Sequence, residues 1–220
     1  MRIMTSLSRT LLPFLVLVWA GALVVVLALT FVVSVWKGVS ISGWNIAAAQ
    51  ISRWVLFWVG VYLISNFLSI AVAHGRTRRE FLWQAAAFAL LISVVLAAVT
   101  RFGFLVESLV YRGMDWSTGD AGGGILEYSL VYAVWSAVGA FMAASFIRFS
   151  SAALVTIPIG VVLIVPAGSL VSGANSLPFL GSLPGFTHGQ AMLLTLGTVV
   201  VALGLAWAVA REMPIRTKAG

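Results

Sequence analysis

The sequence predicts an all-α polytopic membrane protein with six transmembrane helices, and its composition is the first reason. Of its 220 residues, 61% are hydrophobic and only 9% carry charge, whereas soluble domains are about half apolar and about a quarter charged. Apolar runs of about 20 residues recur along the chain, which is the length that crosses a bilayer as a helix. The net charge of +7 comes from basic residues at the ends of these runs, a pattern that indicates membrane topology rather than nucleic-acid binding.

We expect a single transmembrane domain over residues 1–220. The first apolar run continues from Leu11 to Trp36, far beyond the core of a signal peptide, so it is expected to be a retained helix. The six predicted helices cover residues 11–36, 52–74, 81–100, 126–147, 152–171 and 190–210.

Two of these helices have distinctive compositions. Helix four contains small residues at three- and four-residue spacing, which should let a neighbouring helix approach closely. These residues are Ala133, Ser136, Ala137, Ala140 and Ala144. Helix five contains Pro158-Ile159-Gly160 and Pro166. Because proline frees backbone groups inside a membrane helix, helix five is expected to be interrupted and flexible.

Two connections differ from short polar turns. Residues 101–124 hold several charged side chains and end in three glycines, which fits either a helix on the membrane surface or a loop. Residues 169–188 carry no charge and are rich in Gly, Ser, Pro and Leu. This second segment is too broken to span, so a re-entrant segment before helix six is expected.

Six spans place both termini on the same side of the plasma (inner) membrane, and the basic residues predict that this side is cytoplasmic. Of the 13 lysines and arginines, nine then lie inside and four outside, as the positive-inside rule requires. The nine are Arg2, Arg9, Arg76, Arg78, Arg79, Arg148, Arg211, Arg216 and Lys218, and the four are Lys37, Arg53, Arg101 and Arg112.

The sequence lacks the usual signatures of an enzyme. There is no G-x-x-x-x-G-K-[ST] motif, so the chain is not expected to bind ATP in a P-loop of its own. It has no cysteine and only two histidines, so neither a catalytic residue nor a metal site is expected. Carboxylate pairs within the predicted spans are missing, which disfavours an autonomous proton-coupled carrier.

Several residues inside the predicted spans are candidates for a transport path. Asn66 is the most polar residue deep in helix two, and a structural hydrogen bond between helices is its alternative role. Trp58 and Trp135 either line a cavity or belong to an interfacial aromatic belt. Pro158 and Gly160 are the expected flexible points of helix five. An apolar path of this kind favours lipid-like, amphipathic peptide or drug-like cargo over small ions.

The turn between helices two and three concentrates the charge of the chain. Residues 73–81 read A-H-G-R-T-R-R-E-F, with both signs of charge within a few positions. Gly75 permits a turn directly after helix two, and Thr77 can cap a short helix that runs into helix three. A turn that only sets topology and binds anionic headgroups is the alternative, but mixed charges favour a surface that is matched to a partner protein.

This turn resembles the coupling helix of the permease subunits of exporter-type ABC transporters, the second exporter class with six spans per subunit. In that family the loop between helices two and three often reads h-G-x-[ST]-R-[RK]-x-[FL]. Gly75, Thr77, Arg78, Arg79 and Phe81 match this pattern. The number of spans, the cytoplasmic termini and the broken segment before the last helix are similar as well.

The resemblance implies a permease subunit that forms the substrate path as a dimer, with a second copy of the chain as the expected partner. Separate cytoplasmic ATPase subunits would bind ATP and magnesium, and this chain would need no cofactor of its own. The residues that would dock on the ATPase are Gly75, Arg76, Thr77, Arg78, Arg79, Glu80 and Phe81.

Two other classes fit the same composition. A six-helix substrate-capture subunit of a vitamin-type importer has a similar size and also works with a separate ATPase, but it would bind its ligand tightly as an isolated chain. A membrane scaffold or immunity factor with no transport of its own would leave the activity of a partner ATPase unchanged.

Overall fold

The computed structural model describes residues 2–35, 42–45, 50–116, 123–171 and 187–213. These residues are helical almost throughout, and no β-strand occurs among them. The elements in chain order are α1 (Arg2–Ser34), α2 (Ser52–Tyr62), a π-helical turn (Leu63–Phe67), α3 (Leu68–Ala73), α4 (Arg78–Gly113), α5 (Ile125–Phe149), a 3₁₀ turn (Ser150–Val155), α6 (Thr156–Gly168) and α7 (His188–Ala210).

Five helical segments in the described part of the chain are long and apolar enough to cross a membrane. They are Val16–Ser34, Ser52–Ala73, Arg78–Gly113, Ile125–Gly168 and His188–Ala210. This arrangement supports the predicted class of an all-α multi-pass membrane protein. The predicted number of six spans is not confirmed, because predicted helices four and five lie together in the one segment Ile125–Gly168.

Helix α5 is the centre of the bundle and packs against α2, α4, α6 and α7. Its closest neighbour is α2. A Cβ atom on Gly60 of α2 would lie 2.0 Å from the carbonyl oxygen of Ser136, and a Cβ on Gly139 of α5 would lie 2.1 Å from that of Phe57. The backbones of the two helices therefore touch, as the small residues of predicted helix four led us to expect.

Helix α4 is longer than predicted. It runs from Arg78 to Gly113, so its 36 residues extend about 54 Å at about 1.5 Å per residue. Its first turn contains residues 78–81, four of the seven expected to form a separate coupling helix, and this separate helix is not confirmed. At its other end it continues through Arg101. Residues 101–113 are therefore part of α4, so of the two alternatives expected there the loop is wrong and the helix is confirmed.

The link between α5 and α6 begins at Ser150, in the turn expected between predicted helices four and five. Ser150 has a φ of 54°, which is strained for a residue with a side chain, and the chain then continues as the 3₁₀ turn into α6. Pro158 lies in the first turn of α6 and Pro166 inside it. Proline is tolerated in a first turn because the N–H it lacks has no intrahelical partner there, and the predicted break at Pro158 does not occur.

The bundle has two chemically different ends. At one end, where α4 begins and α5 and α7 finish, Arg78, Arg148 and Arg211 lie close together. We call this the basic end. At the opposite end, Glu127 near the start of α5 contacts His188 at the start of α7 with a separation of 3.2 Å. The expected re-entrant segment falls mostly on residues 172–186, which lie outside the described residues.

Candidate functional site

The turn at the basic end is built by two capping motifs in sequence. Gly75 has a φ of 75°, and its N–H donates to Val72 O at 2.9 Å while that of Arg76 donates to Ala71 O at 3.1 Å. This is the Schellman pattern, which needs a left-handed residue and so favours glycine. The turn therefore ends α3 with its last carbonyl groups satisfied.

Thr77 then starts α4 with a capping box. Its hydroxyl accepts from the Glu80 N–H at 3.2 Å, and the Glu80 carboxylate accepts from the Thr77 N–H at 3.4 Å. The cap predicted for Thr77 is confirmed, although the helix that it caps is α4 itself. Because the capping box starts at Thr77, directly after the Schellman motif ends at Arg76, the turn has little conformational freedom.

Side chains of the turn also contact the end of α7 and the first turns of α4. The Arg78 guanidinium donates to the Arg211 carbonyl oxygen at 2.9 Å, just beyond α7. Phe81 is buried in an apolar cluster that includes Ala210 and Met213. The Arg76 guanidinium donates to Gln84 Oε1 at 3.2 Å. Displacing this turn would therefore displace the end of α7 as well.

Ion pairs to Glu212 link the end of α5 to the end of α7 at the basic end. The Arg148 guanidinium, at the end of α5, donates to Glu212 Oε2 at 2.6 Å, and the Arg211 guanidinium donates to Glu212 Oε1 at 3.1 Å. The hydrogen bond from Arg148 holds the pKa of the Glu212 carboxyl below its ordinary value of 4.5, and the positive charges of both arginines act in the same direction. The ends of α5 and α7 are thus joined through one carboxylate.

Two charged residues of the turn stay at the surface, Arg79 and Glu80. Glu80 is used by the capping box, whereas Arg79 makes no hydrogen bond or ion pair with any described residue. Of the seven residues predicted to dock on a partner, Arg79 is therefore the one that is exposed and has no internal structural role in the described part of the chain.

A groove of about 620 Å³ lies along the outer side of α2. Trp54, Trp58 and Tyr62 line it on α2, and Phe88 and Ile92 line it on α4. Its wall is almost entirely apolar. It is larger than the apolar cavity of about 250 Å³ that lies among α2, α4, α5 and α7.

The polar groups of this groove come from the π-helical turn. Ser65 and Asn66 both line the groove, and the Asn66 side-chain amide donates to Ser65 Oγ at 3.0 Å. A π-helical turn inside an α-helix is uncommon and frequently marks a functional position. Sequence periodicity does not show this turn, because the flanking residues are helical on both sides.

The five residues predicted for the transport path do not come together. Trp58 and Asn66 line the groove. Trp135 is buried behind it, with its ring centroid 4.9 Å from that of Trp54. Pro158 is exposed on α6, and a Cβ on Gly160 would lie 2.4 Å from Met142 Cε of α5. Gly160 therefore allows α6 to pack on α5, away from the groove.

A polar cluster at the opposite end escaped the sequence analysis. Glu107 of α4 is buried, and its carboxylate accepts from the Ser42 hydroxyl at 2.5 Å and from the Trp44 N–H at 2.9 Å. The Trp44 indole N–H donates to Thr100 O at 2.9 Å. Residues 42–45 are thus held against α4. Glu107 therefore lies in the last two turns of α4 rather than in a loop.

Helix α4 accommodates the Trp44 ring because it has a glycine at the contact. A Cβ on Gly103 would lie 2.2 Å from Trp44 Cε2. The ring also makes an edge contact with Trp19 of α1, with 6.1 Å between centroids. The only sequence signal for this contact is the glycine one turn before Glu107, because the two partners are about 60 residues apart.

The fold and these sites define a helical multi-pass membrane protein with a rigid charged turn at one end and an aromatic groove on its side. Comparison with known protein families, with curated proteins and with solved structures finds no match to this chain.

Proposed function

We propose that this chain is the permease subunit of an ATP-driven ABC exporter, coupled to separate ATPase subunits through residues 75–81. The observation that carries the proposal is the turn at the basic end. It matches the coupling pattern in sequence, exposes Arg79 and Glu80, and is attached to the end of α7 by Arg78. A partner that pushes on such a turn moves several helices at once.

The proposed force path follows the contacts at the basic end. Movement of the turn passes directly into α3 and α4, which it joins. It passes into α7 through the hydrogen bond of Arg78 to the Arg211 carbonyl, and from there into α5 through Glu212 and Arg148. ATP and magnesium would act on the partner ATPase, and this chain would supply only the docking turn and the membrane path.

We further propose six crossings, with both termini cytoplasmic. Support comes from the position of Val171, beyond α6, whose Cγ2 would lie 3.1 Å from a Cβ on Gly123 before α5. The chain from Ser150 to Val171 therefore returns from the basic end to the opposite end. In this topology the basic end faces the cytoplasm, as the positive-inside rule favours.

The groove on α2 is the proposed substrate path, with Trp58 and Asn66 as its lining residues. Its apolar wall and small polar group suit an amphipathic molecule better than a small ion. The groove opens to the side of one chain, so a second copy of the permease is the proposed partner that completes it. Trp135 supports the groove from behind without touching its interior.

The test of this proposal uses Arg79, because its replacement removes charge from the turn without removing a described hydrogen bond. We expect Arg79→Glu to abolish stimulation of the partner ATPase and transport of its cargo, with unchanged yield and thermal stability. The matched control is Arg112→Glu, an exposed arginine of α4 at the opposite end. Equal transport by both variants would refute a docking role for the turn.

The groove also favours a second candidate, a substrate-capture subunit of a vitamin-type importer. Such a subunit binds its ligand without any ATPase, and the groove is formed within one chain. Tight binding of a vitamin-like ligand to the isolated chain, lost in Asn66→Leu and kept in Arg79→Glu, would support this candidate over the exporter.

A further inference from the structure

We propose that the basic end contains a binding site for one anionic phospholipid, at the seam between α4 and α7. The site consists of a cavity that takes an acyl chain and two arginines that take the headgroup. It is separate from the groove on α2 and shares only Arg79 with the proposed docking turn, so its own test replaces Arg211.

The cavity is about 250 Å³ in volume and lies among α2, α4, α5 and α7. It has almost no polar surface. Gly60 and Ser136 line the cavity where α2 touches α5. The Ser136 hydroxyl donates its hydrogen bond to Ala133 O at 3.1 Å, within its own helix. Whole drug-sized ligands occupy sites of about 300–1,000 Å³. The cavity therefore fits part of a hydrocarbon chain rather than a complete polar ligand.

Two helices present matching residues at the mouth of this cavity. On α4, Arg79, Trp83 and Ala86 follow at spacings of four and three, so they share one face. The end of α7 repeats the same spacings in the opposite direction, with Arg211 at the C-cap followed by Trp207 and Gly204 further back in the helix. Trp83, Trp207, Ala86 and Gly204 line the cavity, and the two indole rings are 5.4 Å apart between centroids.

Each arginine therefore stands one helical turn outside its tryptophan, about 6 Å further toward the basic end. The Arg79 and Arg211 side chains are exposed. The described residues of this end include five arginines and two glutamates, namely Arg76, Arg78, Arg79, Arg148, Arg211, Glu80 and Glu212. The excess of positive charge selects an anionic headgroup over a zwitterionic one.

The two parts of the site contribute different things. Lipid chains are as apolar as the cavity wall, so the chain gains little from the hydrophobic effect on leaving the bilayer. The bound acyl chain does supply the cavity wall with dispersion contacts that an empty cavity lacks. Selectivity comes from the headgroup, because a basic residue near an anionic surface strengthens binding by about fivefold.

Native mass spectrometry of the delipidated chain in neutral detergent tests the site. The probes are phosphatidylglycerol and phosphatidylcholine with identical dioleoyl chains, added in competition. We expect one tightly retained phosphatidylglycerol per chain, and about fivefold weaker retention in Arg211→Gln. Equal retention of the two lipids, or no retained lipid, would overturn the proposal.

A pair of glycine variants locates the bound chain. Both Gly204 and Gly197 of α7 are exposed, and an added Cβ has nothing within 4 Å at either position. Only Gly204 lines the cavity. Gly204→Leu should therefore lose the retained lipid while Gly197→Leu keeps it, with both variants showing the wild-type helical circular dichroism. Loss in both variants, or in neither, would place the lipid outside this cavity and overturn the proposal.

Discussion

The backbone contact between α2 and α5 makes the substitution Gly60→Ala a sharp test of the bundle. The added Cβ would lie 2.0 Å from the Ser136 carbonyl oxygen and 2.9 Å from the Ala140 nitrogen, whereas an ordinary contact begins at 3.4 Å. The obstacles are backbone atoms, so no side chain can rotate away. The helices must separate, and α2 must lose part of its packing on α5.

The expected cost follows from two opposing terms. Overpacking of this kind destabilises by about 1–3 kcal/mol, and a backbone obstacle belongs to the upper part of that range. Alanine also favours a helix over glycine by about 1 kcal/mol. We therefore expect Gly60→Ala to destabilise the protein by about 2 kcal/mol. Gly139→Ala should cost a similar amount, since its Cβ would lie 2.1 Å from Phe57 O.

Unfolding in mixed micelles, followed by tryptophan fluorescence, measures this effect. The Trp54–Trp135 ring pair, 4.9 Å apart, reports on the same interface. The matched control is Gly197→Ala, where the new methyl group meets open space and helix propensity alone predicts up to about 1 kcal/mol of stabilisation. The double variant Gly60→Ala with Gly139→Ala should be less than additive, because the first change already separates the helices. If Gly60→Ala and Gly197→Ala unfold at the same point, the backbone contact does not exist.

Three further predictions concern the two ends of the bundle. Glu107→Leu should raise the hydrogen-exchange rate of the Trp44 amide about tenfold or more, because the acceptor of its hydrogen bond is removed; an unchanged rate would contradict that bond. Thr77→Ala should destabilise the start of α4 by about 1 kcal/mol in the same unfolding assay, and Thr77→Ser should restore it. Glu212 has a lowered pKa in the folded chain, so its pairing with Arg148 stabilises above pH 4.5 and is lost as the pH falls through the folded pKa. Acidification should therefore lower the melting temperature of the wild type more than that of Glu212→Gln, and high salt should remove the difference.

The all-helical membrane class of the fold was predictable because the lipid environment leaves a strong signal in the sequence. Apolar runs of span length and basic residues at their ends need no tertiary information. The local chemistry of Gly75 and Thr77 was predictable for the same reason, since a Schellman turn and a capping box depend on residues a few positions apart.

The parts that sequence reasoning missed depend on distant contacts. Glu107 was assigned to the segment 101–124, a surface helix or a loop, because charged residues follow the apolar run of predicted helix three, and only the folded chain shows that Ser42 and Trp44 donate hydrogen bonds to it. The end of α4 was placed too early for the same reason. The interruption expected at Pro158 was also wrong, because only the folded chain shows that α6 begins at Thr156, which puts this proline in the first turn, where it is tolerated.

The transport-path residues illustrate a third kind of miss. Trp58 and Trp135 have the same residue type and similar surroundings in sequence, yet one lines the groove and the other is buried behind it. The difference in burial between the two tryptophans depends on which side of α2 faces α5. That side is set by Gly60 and Gly139, which let the backbones of the two helices touch. The pairing of two glycines on different helices is not visible in a single sequence.

The central claim is that residues 75–81 dock on a separate ATPase subunit. The most direct measurement is a gentle detergent pull-down of the tagged chain, with mass spectrometry of the proteins that co-purify. We predict an ABC ATPase in about one-to-one ratio with the wild type and with Arg112→Glu, and its loss from Arg79→Glu. A chain that purifies without any ATPase, or an ATPase that stays bound to Arg79→Glu, would contradict the claim.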